Sequence, residues 1–167
     1  MFKLGFHLLG PCVVAALGLV ASSLATAGPF EDGVAARERG DYLAAFDIFK
    51  PLASSGDSSS QFQLSLLYST GKGVQQNSKE SLYWLQMSAT RGNAQAQSNL
   101  GVAFNRGLGV QQDAVKAYAW LSMAAASGDT MAATNLNVVS RKLSPQQLEL
   151  AKILAKDCLK GNFRPCL

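Results

Sequence analysis

Histidine is almost absent: the 167 residues contain one, His7, near the N-terminus. Everything downstream lacks imidazole, which excludes Ser–His–Asp and Cys–His nucleophilic chemistry and most zinc sites. Charged residues are few, at 16%, and aromatics fewer, at 8%. No strand-like segment precedes the Gly-x-Gly pairs and no third glycine follows them, so a dinucleotide fingerprint is excluded. Those glycines read as tight positive-φ loops between helices. None of the acidic residues pairs at helical spacing within a plausible cleft, as a glycosidase-like acid and nucleophile would. The residues point to no catalytic group, no metal and no cofactor.

Long apolar runs are missing except at the start. Lys3 is the one charge before Ala27, and an apolar run extends from Leu4 to Leu24. Ala25-Thr26-Ala27 then supplies a small-x-small end, followed by Gly28. A basic start, an apolar core and an A-x-A end make a secretory signal peptide over 1–27, cut between Ala27 and Gly28. An uncleaved anchor is the competing reading, because the run approaches spanning length. Cleavage removes Cys12 and leaves Cys158 and Cys166 as an even pair. In an oxidising compartment they are expected to form a disulfide, closing a small loop worth about 2–3 kcal/mol. The expected location is periplasmic or secreted, with no stable membrane insertion after cleavage.

What the chain does contain is a repeat. Gly71-Lys72-Gly73-Val74-Gln75-Gln76 recurs 36 residues later as Gly107-Leu108-Gly109-Val110-Gln111-Gln112. The same step carries Trp84-Leu85 to Trp120-Leu121 and Leu64 to Leu100 to Leu136. Aligning 56–91 with 92–127 gives 12 identities, too many for chance. Punctuation repeats as well: Gly56-Asp57, Gly92-Asn93 and Gly128-Asp129 each close one helix and cap the next. Asp41, Asn77 and Asp113 form a second capping series, with Glu80 completing a capping box after Asn77. Between these marks the apolar residues follow helical spacing. The units read as helix pairs over 58–70 with 77–90 and 94–106 with 113–127, stacked because neither pair could bury its apolar face alone.

Upstream, 30–39 and 42–54 form a shorter hairpin. Downstream, 130–142 is a lone first helix. A last helix begins at Ser144-Pro145-Gln146-Gln147, with an N-cap serine, proline at the first position and a box-closing glutamine. Its stripe of Leu148, Ala151, Leu154 or Ala155, and Cys158 suits a terminal cap.

The second unit's Ala96, Leu100, Gly101, Phe104, Gly107, Gly109, Val110, Asp113, Ala117, Trp120, Ala124 and Ala125 resemble the Sel1-like repeat, a relative of the tetratricopeptide repeat. The first unit departs at Ser65, Ser81 and Ser88, which implies looser packing there. The resemblance implies an all-α, right-handed solenoid of antiparallel helix pairs with a C-terminal capping helix. Residues 28–143 would be the repeats and 144–167 the capping helix with its disulfide-closed tail. It also implies an exported scaffold or regulator of the cell envelope that binds another envelope or secreted protein. The alternative is a cell-wall-binding protein or weak β-lactamase-like hydrolase. Cysteine-rich exported Sel1-like proteins have been linked to such roles, but this chain lacks their paired cysteines in each repeat.

Trp84 and Trp120, repeated on second helices, are expected to be core residues. Residues 28–140 hold eight basic and nine acidic residues, whereas 141–167 hold six and two. Lys152, Lys156 and Lys160 follow one helix face and suit a solvated C-terminal dipole. Nucleic acid is not an expected partner.

In solenoids of this type the first helices line the concave surface. With Leu64, Leu100 and Leu136 on the packing face, the groove falls to Phe62, Leu66, Ser69 and Thr70, then Ser98, Val102, Asn105 and Arg106. Its third set is Thr134, Val138, Arg141 and Lys142. The groove would be apolar and hydroxylic at one end and basic at the other. It would accept an extended peptide with an acidic residue or C-terminal carboxylate near Arg106 and Arg141.

Overall fold

Short polar side chains start the helices where the sequence places them. Asp57, Asn93 and Asp129 accept from the backbone N–H groups of Ser60, Ala96 and Ala132 at 2.6, 2.9 and 2.7 Å. Asp41, Asn77 and Asp113 cap the alternate helices in the same way. Each such cap is worth about 1 kcal/mol. A computed structural model describes residues 28–160, 163, 166 and 167. The expected signal peptide over 1–27 therefore lies outside the described residues.

The described residues form eight helices and no strand. They are α1 (Pro29–Glu38), α2 (Tyr42–Ser54), α3 (Ser58–Thr70), α4 (Ser78–Thr90), α5 (Ala94–Arg106), α6 (Ala114–Ala126), α7 (Thr130–Ser140) and α8 (Pro145–Lys160). Each helix packs on its sequence neighbours through α7, and α8 returns onto α6. This is an α-solenoid of antiparallel pairs, close to the expected boundaries. The capping box at α8 also forms: Gln147 N–H donates to Ser144 Oγ, and Ser144 N–H donates to Gln147 Oε1. No helix among the described residues is long and apolar enough to cross a membrane.

Helix α3 divides the core. Leu64 and Leu67 join Phe46, Phe49 and Ala53 on the N-terminal side. Phe62 instead joins Ala89, Ala96 and Leu100 in the larger cluster, which continues to Trp120 and Cys158. Two buried glutamines stitch successive units: Gln61 Nε2 donates to the Ala53 carbonyl at 2.9 Å, and Gln97 Nε2 to that of Ala89 at 3.1 Å.

The loops carry a strict requirement at Gly73. Its φ is +71°, and a β-carbon there would stand 2.1 Å from the carbonyl oxygen of Tyr42. Only glycine lets the loop lie against the first turn of α2.

The second helix of the first unit is packed less deeply than its counterpart, although Ser65 and Ser88, two of the unit's departing serines, are themselves buried. Helix α6 buries Ala117, Ala119, Trp120, Leu121, Met123 and Ala124, whereas α4 buries only Ser88 and Ala89. Ser88, in place of an alanine, donates its hydroxyl to the Ser58 carbonyl at 2.6 Å. Glu80 does not close the expected capping box. The Asn77 N–H donates to the Tyr68 carbonyl, leaving no donor for Glu80 to meet there. Its carboxylate instead accepts from the Trp84 indole N–H at 3.1 Å.

Candidate functional site

The expected groove residues separate into three environments. Phe62 and Ser98 are buried, at 7% and 5% exposure, and cannot touch a partner. The first turns of α3 and α5 are covered by neighbouring helices, an effect that helical spacing within one helix does not report. This corrects the placement of Phe62 on an open groove.

Leu66 and Thr70 open into a cleft of about 290 Å³ beside Arg37, Tyr42 and Lys72. Arg37 crosses this cleft to donate to Gln63 Oε1 at 2.6 Å. Lys72 lies over the Tyr42 ring, 4.7 Å from its centroid. Ser69 faces a second cleft of about 480 Å³, together with Leu82, Leu85, Asn99 and Val102. The two faces of the C-terminal half of α3 thus serve different clefts, and the expected single groove is interrupted there. Both clefts combine apolar walls with hydroxyl or amide groups, a lining suited to side chains of an extended chain.

At the basic end, Lys142 donates to Asn105 Oδ1 at 3.2 Å, tying the loop after α7 to α5. Arg106, Arg141, Val138 and Thr134 are exposed. Among the described residues the ion pair formed is Lys152 with Glu149, at 3.7 Å, so Arg106 and Arg141 engage no carboxylate. Two guanidinium forks are therefore available at this end. No three His, Cys, Asp or Glu side chains among the described residues gather as a metal-holding group.

Cys158 and Cys166 are joined, with Cα atoms 5.9 Å apart, and both are fully buried. The bond brings the tail onto α6. Phe163 stacks on Trp120 with ring centroids 5.5 Å apart and planes 9° apart. The Trp120 indole N–H donates to the Cys166 carbonyl at 3.1 Å. Trp120 is thus the core residue expected of it. Trp84 is only half-buried, because no described segment covers the same face of α4.

The face formed by Tyr68 of α3 with Glu80 and Trp84 of α4 lies outside the expected groove. Its signal was present as a charge change within the repeat, Glu80 standing where the next unit has Lys116. The stitching glutamines were also legible, since Gln61 and Gln97 are among the identities at the repeat step.

A family model described as Sel1 repeat matches residues 58–93 and 94–129. A Sel1 repeat protein from Oxalobacter formigenes is similar, at 31% identity and TM-score 0.54, covering 70% of this chain and 94% of that one. The c5321 protein, a protective antigen present in uropathogenic Escherichia coli strains and displaying an SLR fold, matches at 26% identity and TM-score 0.74. That match covers 83% of this chain, which spans 30% of the antigen's length. No curated protein matches the sequence.

Proposed function

The chain belongs to the Sel1 repeat family, and on that premise we propose that it is an exported protein–protein interaction scaffold or regulator of the cell envelope. The observation that carries this reading is that the exposed guanidinium groups of Arg106 and Arg141 meet no carboxylate among the described residues, on a frame that also carries clefts of mixed apolar and hydroxyl lining. Stacked repeats position such clefts along a rigid helical frame, which is how a solenoid meets an extended partner. The partner is another envelope or secreted protein. It presents an extended segment with an acidic residue or C-terminal carboxylate to Arg106 and Arg141.

Export is supported by the apolar run ending at Ala25-Thr26-Ala27 and by the Cys158–Cys166 bond, which persists where thiols are oxidised. The similarity to a protective antigen agrees with that location. A binding role without catalysis agrees with the lack of histidine after His7, since the commonest general base is then missing.

The test is a crosslinking pull-down from the native envelope with the wild-type protein and an Arg106→Ala/Arg141→Ala variant. Wild type should capture a partner that the variant holds more weakly and with a flatter salt dependence, while thermal stability stays nearly unchanged. Equal capture at low ionic strength would remove these arginines from the site. Nitrocefin turnover at an ordinary enzymatic rate would overturn the scaffold reading in favour of the hydrolase. Intact-mass analysis of the exported protein should find a chain starting at Gly28, and a species retaining Met1 would point to an anchor.

A further inference from the structure

The chain places its own tail on one repeat unit, and no described segment covers the same surface of the preceding unit. On α6, Phe163 stacks on Trp120, the Cys166 carbonyl accepts from the Trp120 indole, and the Leu167 carbonyl accepts from the Lys116 ammonium at 2.6 Å. The same ammonium lies over the Phe104 ring, 5.3 Å from its centroid. Leu167 thereby reaches a cleft of about 360 Å³ formed with Phe104, Val110, Gln112, Asp113 and Lys116.

Subtracting the repeat length leads to a cleft of about 380 Å³ formed by Tyr68, Val74, Gln76, Asn77 and Glu80. Next to it stand half-buried Trp84 and Tyr83, the latter 49% exposed. No described segment of the chain fills this cleft as Leu167 fills the edge of the other.

We propose that the face formed by Tyr68 of α3 with Glu80 and Trp84 of α4 binds an extended segment of a partner protein in the manner of the chain's own tail, with an aromatic side chain on Trp84 and a basic side chain at Glu80. Both halves of that specificity come from the repeat. The tail places its aromatic four residues before the backbone oxygen that meets position 116, so the partner's basic residue follows its aromatic within a few residues. The cation is required because Lys116, which attracts a carbonyl oxygen, is replaced by the carboxylate of Glu80. For the same reason a second copy's tail is a poor occupant, since it would bring an oxygen rather than a cation to Glu80. An isolated Trp84–Glu80 hydrogen bond leaves the carboxylate further acceptor sites for an ammonium or guanidinium. This surface is separate from the Arg106 and Arg141 end, and its chemistry is opposite in sign.

The test uses a synthetic disulfide-closed peptide of residues 158–167 carrying Leu167→Lys and a C-terminal amide, with a Leu167→Glu amide as the counterpart. Tryptophan fluorescence reports mainly on Trp84, because Trp120 is already enclosed. The lysine peptide should give a saturable change and bind about tenfold more tightly than the glutamate peptide, as close charge complementarity at an interface allows. Glu80→Lys, a half-buried surface change whose folding is checked by circular dichroism, should reverse that preference. Arg106→Ala/Arg141→Ala should leave it intact, which separates this site from the proposed groove. Absence of saturation at millimolar peptide, or equal affinity for both peptides in wild type and Glu80→Lys, would overturn the proposal. Self-association by sedimentation that Glu80→Lys abolishes would also overturn it, in favour of a second copy on this face.

Discussion

Gly101 of α5 lies directly beneath Leu121 of α6: a β-carbon on the glycine would stand 2.7 Å from Leu121 Cγ and 3.2 Å from the Ala117 carbonyl oxygen. Because Leu121 is fully buried, it has little room to retreat. Gly101→Ala should destabilise the protein by about 1–3 kcal/mol, the usual range for overpacking a filled core. Urea denaturation would measure it. The corresponding residue of the first unit, Ser65, is buried with its hydroxyl donated to the Phe62 carbonyl at 2.7 Å. Ser65→Ala should therefore cost clearly less than Gly101→Ala, and equal costs would show that the units pack alike.

Reducing Cys158–Cys166, or replacing both with alanine, should lower stability by about 2–3 kcal/mol, the loop-entropy expectation for a short closure. It should also release the strap over Trp120. Because Phe163 and the Cys166 carbonyl complete that indole's surroundings, emission should shift to longer wavelength at denaturant concentrations well below global unfolding. An unchanged spectrum would mean that α8 alone encloses Trp120.

Burial, and after it the nearby carboxylate of Glu80, push the Tyr68 phenol above its ordinary value of 10.0. The folded state thus holds this proton more tightly than the unfolded chain. Its stabilising contribution is complete below the unfolded value and fades as pH rises through the folded one. Stability should fall on raising the pH above about 10, and Tyr68→Phe should lessen that fall. Glu80→Gln should bring the phenol only partly back, since burial is the larger cause. Absorbance titration near the phenolate band, with Tyr68→Phe as the blank, would check both statements.

The repeat step, the helix boundaries and both capping series were determined by the sequence alone, because each depends on residues a few positions apart. A cap such as Asp129 finds its N–H three residues on, whatever the rest of the chain does. The pairing of Cys158 with Cys166 was legible for the same reason: the two are close in sequence and even in number. Burial was not legible in this way. Phe62 has the spacing of a groove residue, yet neighbouring helices cover it. Trp84 and Trp120 occupy equivalent positions in the repeat, yet only Trp120 is enclosed, since the tail that covers it is brought from 46 residues away. Helical periodicity reports which residues share a face. What covers that face depends on other parts of the chain, and only the tertiary structure decides it.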